Sequence, residues 1–324
     1  MVSRGQVIHQ WMSLFDYGQQ AIRNTHQTEI GEYSNTMRDL NYQLKRLCRD
    51  NRDGSYGTQV QRERMLTLIA NQLHDVGYRR MNAKSLRPKH IEALTQLWLQ
   101  SGVSAGTMKN RMSAIRWWAR KVNKQNVVAR SNDHYGLPRR QYATGANKAT
   151  SIEEQQLNRI TDPHVRMSLE LQESFGLRRE EAIKIQPNLA DKGALLWLKP
   201  SWTKGGRERE IPIRTMEQRE ILDRAGQLAG KGSLIPSHKT YVQQLRLYEG
   251  QCIRAGLSRM HGLRHAYAQT RYQELAGFKA PAAGGPTRMD LSPDQRALDK
   301  KARAVISNEL GHNREAITVV YLGR

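Results

Sequence analysis

Five short runs in the second half of the chain carry residue types suited to chemistry on an anionic centre. Gly176-Leu-Arg-Arg-Glu-Glu181 supplies Arg178, with Glu181 three residues on. Thr203-Lys-Gly-Gly-Arg-Glu-Arg-Glu-Ile-Pro-Ile213 supplies Lys204, and His261-Gly-Leu-Arg-His265 supplies His261 and Arg264. Leu310-Gly-His312 supplies His312, and Tyr321 follows nine residues later. Attack on a phosphodiester concentrates negative charge on its non-bridging oxygens. Arginine meets that demand well, because its planar fork bonds two oxygens and stays protonated at neutral pH. A phenol needs a nearby cation or base to become a nucleophile, and imidazoles titrate close enough to neutrality to move its proton. An alkoxide is a poor leaving group and calls for a general acid. Each run alone has an ordinary structural reading: a surface His/Arg pair, a solvated hairpin lysine, a packed tyrosine.

Taken together, and in this order, the five runs resemble the tyrosine recombinase/phage integrase family across residues 151–324. The resemblance implies that Arg178, Lys204, His261, Arg264 and His312 form the catalytic set around the nucleophile Tyr321, with Glu181 supporting. It implies a site-specific recombinase that cuts and rejoins DNA through a 3′-phosphotyrosine, for integration, excision or resolution, as the enzymes of mobile elements do. The phosphotyrosyl ester keeps the energy of the broken bond, so no ATP, metal or other cofactor is expected. That fits a sequence with no Walker A loop, no H-E-x-x-H and no zinc-spaced cysteines. The implied partners are double-stranded DNA, three further copies in a homotetramer on two DNA sites, and accessory DNA-bending proteins. Two other readings stay open: a non-catalytic, sequence-specific DNA-binding protein, and an enzyme like a type IB topoisomerase or telomere resolvase.

These residues need elements to position them. The 324 residues suggest two ordinary domains, and 38% hydrophobic with 25% charged residues is a globular composition. The net charge is +22 and is uneven: residues 30–150 hold 22 basic and 8 acidic side chains, and 151–324 hold 28 and 20. Such a field favours a polyanion, which here means nucleic acid. No apolar run is long enough to span a bilayer and the first residues lack a signal-peptide pattern, so a cytoplasmic, nucleoid-associated protein without membrane contact is expected.

The expected fold is multidomain, α and α+β. After an extension over 1–29, a helical, SAM-like core DNA-binding domain is expected over 30–130. There Met37, Leu40, Leu44 and Leu47 recur at helical spacing, and Pro88 suits a first helical turn. In Thr107–Val122 an apolar stripe leaves a basic face, from which Lys109, Arg111, Arg116, Arg120 and Lys124 are read as DNA-binding. Trp117 and Trp118 are read as core. A polar linker is expected over 131–150, then a mainly helical catalytic domain over 151–324, opening on a Ser151–Glu154 capping box. Within it a small antiparallel hairpin pairs Ala194–Leu198 with Glu210–Ile213 around Lys204. The Pro/Gly-rich stretch 277–300 reads as a loop insertion. His265 is read as structural, and Cys48 and Cys252 as buried thiols.

Overall fold

The computed structural model describes residues 39–142, 146–312 and 317–324; the 1–29 extension and Met37 lie outside them. The architecture is mostly helical with one two-stranded antiparallel sheet. The chain divides between Arg140 and Gln141 into two units, each with its own core. Among the described residues, no helix is long and apolar enough to cross a membrane.

Among the described residues the first unit is built on four α-helices, α1 (Asp39–Asp50), α2 (Tyr56–Asp75), α3 (Pro88–Gln100) and α4 (Ala105–Lys121). Their starts follow local chemistry. The Ser55 and Ser104 hydroxyls accept from the amides of Thr58 and Thr107, and Pro88 occupies a first-turn position where its missing N–H costs nothing. The apolar stripes of these helices meet in a core of Leu44, Leu66, Ile69, Leu73, Ile91, Leu94, Met112 and Ile115. Trp98 and Trp118 are fully buried within it, and their indole N–H groups donate to Gln72 Oε1 (2.9 Å) and the Ala83 carbonyl (2.8 Å).

The expected linker is shorter than its composition suggested. Asp133–Tyr135 forms a 3₁₀ turn, the Tyr135 hydroxyl accepts from the Ala129 amide, and Leu137 is buried in the first core. At its other end, the Thr150 amide donates to the Gly262 carbonyl, so that part belongs to the second unit.

The second unit runs α5 (Glu154–Asn158), α6 (Pro163–Phe175), α7 (Arg179–Lys184), α8 (Pro187–Ala190), β1 (Leu195–Leu198), β2 (Arg209–Pro212), α9 (Met216–Ala229), α10 (Tyr241–Arg254), α11 (His261–Ala276), α12 (Pro293–Glu309) and α13 (Val319–Leu322). The opening cap is made by Glu153 with Gln156, two residues later than the Ser151–Glu154 reading. The strands pair with Leu198 opposite Arg209, and their inward residues Leu196, Leu198 and Ile211 are fully buried. Helix α11 is shared by two clusters. Its Leu263 packs with Val165, Leu169, Ile183 and Tyr248, while Tyr267, Ala268 and Tyr272 pack with Phe175, Ile306, Leu310 and Leu322.

The 277–300 insertion is corrected by the structure, because its last eight residues form the first two turns of α12. Pro293 does not break that helix: it sits at the first turn, Ser292 caps the Gln295 amide, and the Gln295 side chain returns to the Ser292 amide. The remainder is also tied down, with Ala280 fully buried, Leu291 buried and Phe278 edge-on to Tyr272.

Candidate active site

Helix α12 ends in carbonyls that lack partners within the helix and carry the negative end of its dipole. Three arginines from three other places meet them. Arg209 Nε donates to the Glu309 carbonyl at 2.9 Å, Arg178 Nη2 donates to the Leu310 carbonyl at 3.3 Å, and Arg264 Nη2 donates to that same Leu310 oxygen. Repulsion among these cations is offset by Glu181, whose side chain is 1% exposed. Glu181 accepts from Arg178 Nη1 at 2.7 Å and from both terminal nitrogens of Arg209, and it lies 4.0 Å from Arg264 Nη1. Burial alone would raise the pKa of this carboxyl. The hydrogen bonds from Arg209, with the charges of Arg209, Arg178 and Arg264, outweigh burial and hold it at about 2.

The local sequence explains how Arg178 gets there. Gly176 ends α6 at φ +59°, and a Cβ on it would lie 2.6 Å from Tyr267 Cδ1, so glycine is required twice over. Arg178 is the N-cap of α7, and its amide donates to Glu181 Oε2 at 2.7 Å. One carboxylate thus caps the helix and holds the arginine. Gly311 after α12 is constrained in the same way, at φ +64° with a would-be Cβ 3.0 Å from Arg209 Cδ.

Tyr321 lies on α13, and only 4% of it is exposed. Its Oη is 3.3 Å from His312 Nε2 and 3.4 Å from Arg264 Nε. The Gln269 amide donates to its backbone carbonyl at 3.1 Å. Three imidazoles surround the phenol, with ring centres at 4.7 Å (His265), 5.6 Å (His312) and 6.0 Å (His261). Desolvation first, then the charges of Arg264, Arg178 and Arg209, depresses His312 to about 4, so it is neutral near pH 7. His261 is held below the usual imidazole value by desolvation, Arg264, Arg178 and Lys204, although the residue as a whole is exposed. Arg264 is 1% exposed and is lowered to about 10 by burial and by Arg178, which leaves it cationic at neutral pH. Its Nη1 donates to the Gly176 carbonyl at 2.5 Å. A terminal guanidinium nitrogen carries two hydrogens, so these bonds leave donor capacity for a ligand.

The structure therefore brings Arg178, Glu181, His261, Arg264, His312 and Tyr321 into one cluster. Lys204 is placed differently: it is exposed at the tip between β1 and β2 and touches the cluster only through its field on His261. Two members are not among the site residues expected from the sequence. Arg209, 7% exposed, alternates with Ile211 on the inward face of β2, and a charge at an inward strand position demands a buried partner. His265 was read as structural, yet its ring is the nearest of the three imidazoles to the phenol.

In the first unit the basic residues divide. Lys109 and Arg120 are exposed. Arg116 is committed to the fold, donating to the Ala129 carbonyl and to Asn132 Oδ1 at 2.7 Å. Arg111 lies over the Trp98 ring, and Lys124 donates to the Leu86 carbonyl. Among the described residues no His/Cys/Asp/Glu cluster is grouped to hold a metal ion.

A basic helical unit joined to a helical unit with this Arg/His/Tyr cluster defines a tyrosine recombinase. Comparison with known families agrees: a phage integrase N-terminal family matches residues 37–128, and an integrase family matches residues 139–270. The chain belongs to the tyrosine recombinase (phage integrase) family. Neither match extends to His312 or Tyr321. Among solved structures, a lambda integrase dimer bound to a COC′ core site is similar over 88% of this chain and 77% of its own, at 15% identity and a TM-score of 0.58. A lambda integrase tetramer bound to a Holliday junction is similar over 84% and 74%, at 15% and 0.52. XerH recombinase bound to a palindromic difH substrate, a post-cleavage complex, is similar over 87% and 80%, at 17% and 0.52. At such identities the likeness establishes the fold. No curated protein sequence matches.

Proposed function

We propose that this recombinase cleaves and rejoins double-stranded DNA at specific sites through a 3′-phosphotyrosine on Tyr321. The observation that carries the reading is the position of Tyr321 Oη, within reach of both a neutral imidazole, His312, and a buried guanidinium, Arg264. In the proposed step Oη attacks the scissile phosphorus and gives its proton to His312. The bond to the 5′-oxygen breaks, and Lys204 protonates that oxygen as it leaves. Arg178 and Arg264 neutralise the non-bridging oxygens, and His261 donates a hydrogen bond to one of them. Rejoining runs the same steps backward with a 5′-hydroxyl from another strand, so neither ATP nor a metal ion is required by the scheme. Glu181 acts by orienting Arg178.

Lys109 and Arg120, exposed on α4, are the better candidates for phosphate contacts in the first unit, because Arg116 is already used to close the fold. A homotetramer on two sites is the working assembly we propose, on the analogy of the lambda integrase tetramer.

The test begins with duplexes selected from a random pool for binding to the full chain. These duplexes, nicked near the bound site, are incubated with wild type and with Tyr321→Phe and run on denaturing gels. A covalent adduct in wild type that is absent in the Phe variant is the expected result. Binding without an adduct in either protein would make the chain a non-catalytic binder. An adduct that survives Tyr321→Phe would place the nucleophile elsewhere.

A further inference from the structure

Beside the helix that carries Tyr321 lies a cavity of about 760 Å³ that the proposed cleavage does not use. Among the described residues it is lined by Arg288, Arg296, Lys300, Arg303 and Arg324, with Asp299 as the one side-chain carboxylate. That carboxylate is already committed, since Asp299 Oδ1 accepts from Arg303 Nε at 2.7 Å and from the Tyr272 hydroxyl at 2.6 Å. The lining is therefore strongly cationic.

The placement of these cations along α12 matters more than their number. Arg296 and Lys300 are four residues apart and Arg303 is three further on, so the three share one face of the helix. Like charges at those spacings repel and destabilise a helix. Arg303 is also buried, with 7% of the residue exposed, and is held in place by Asp299 and the Gly323 carbonyl. An anion in the cavity would relieve the repulsion along the helix. Guanidinium forks bond phosphate oxygens in pairs, and a recess of this volume is of the size that small ligands occupy.

The cavity also touches both ends of the nucleophile's helix. Thr318 and Val319, where α13 begins, form part of its wall. Arg303, in the same wall, donates to the carbonyl of Gly323, which ends α13.

We infer that this cavity binds a compact anion bearing several phosphates, and that the bound anion fastens α13. A ligand that binds only the packed arrangement stabilises it by mass action. Its effect should therefore reach the backbone of the helix it touches. This inference stands apart from the cleavage reading and does not require Tyr321 to be the nucleophile.

The test titrates the full chain with sodium tripolyphosphate at constant ionic strength by calorimetry. Wild type is expected to show one saturable site. Arg296→Glu with Lys300→Glu, both exposed positions, should weaken it roughly tenfold or more. Arg246→Glu with Arg254→Glu on α10, an equal change in charge, should leave it intact. Hydrogen exchange at Val319–Leu322 should slow with tripolyphosphate in wild type and not in the α12 pair. No saturable binding, or equal loss in both pairs, would mean only a general field and would overturn the site. Binding without slowed exchange would overturn the coupling to α13. If the α12 pair changed self-association in sedimentation and left tripolyphosphate binding unaltered, the occupant would be an acidic surface of a second copy and the inference would be wrong.

Discussion

Arg209 and Glu181 are joined by two parallel hydrogen bonds, Nη1 to Oε1 at 2.9 Å and Nη2 to Oε2 at 2.7 Å, with both side chains buried. The pair ties β2, and so the hairpin carrying Lys204, to the carboxylate that holds Arg178. Removing one partner strands a buried charge, which typically costs about 3–5 kcal/mol. Arg209→Gln is therefore expected to lower stability by roughly that amount in urea titrations, and Arg209→Lys, which cannot make the two-pronged contact, by less. Under conditions where Arg209→Lys remains folded, its cleavage rate should still fall, with DNA affinity little changed. A Lys variant as fast as wild type would reduce Arg209 to a packing role.

Acid should act on this protein through its depressed groups. His312, His265 and His90 are each held at about 4 in the folded chain, chiefly by desolvation. The unfolded chain binds those protons at a higher pH, near the ordinary histidine value of about 6.5. Their contribution is therefore full above that value and is lost as pH falls toward 4. Glu181, held at about 2, adds a second loss between the ordinary carboxylate range and that value. Urea midpoints should be flat between about pH 7 and 8 and decline in two stages below neutrality. His312→Gln should flatten the first stage, and an unchanged slope would show that His312 is not desolvated in the folded state.

DNA binding by the full chain should weaken steeply with salt, because each neutralised phosphate releases condensed counterions. With about six to ten contacts, the loss between 50 and 200 mM salt is roughly 10³–10⁵-fold. Lys109→Ala and Arg120→Ala should each reduce the slope of log affinity against log salt by about one. Arg116→Ala should instead lower the melting temperature, since its guanidinium holds the chain at Ala129 and Asn132. Equal slopes for all three variants would sink this division of labour.

Much of this arrangement is written locally and was legible. The hairpin shows itself as the short apolar run Leu195–Leu198 and the stretch Glu210–Ile213 on either side of a polar, glycine-containing tip. Trp117 and Trp118, large apolar side chains in the middle of their helix, are buried as expected. The start of α12 was hidden by Pro293, although Ser292-Pro-Asp-Gln295 is itself a capping box, a signal that outranks proline at a first helical turn. The commitment of Arg116 was not legible, because its partners arrive only when the chain returns past Ala129. The same holds for Arg209: the expected strand began one residue later, at Glu210, and only the fold names Glu181 as the partner 28 residues away.

The reading of Lys204 as the acid for the leaving 5′-oxygen is the sharpest to test, because the structure holds this lysine away from the cluster, exposed at its hairpin tip. If the tip closes on DNA and Lys204 supplies the proton, loss of that acid should slow cleavage roughly 10²–10⁴-fold. A sulfur at the bridging 5′ position leaves as a stable thiolate and needs no proton. Lys204→Ala should thus be badly impaired on ordinary DNA yet largely restored on DNA with a 5′-bridging phosphorothiolate at the cut site. Arg178→Ala should not be restored, because the charge on the non-bridging oxygens is the same with sulfur as without. Single-turnover rates of covalent complex formation on the two substrates decide it. Should sulfur rescue neither variant, Lys204 binds phosphate, and the proton comes from His261 or His312.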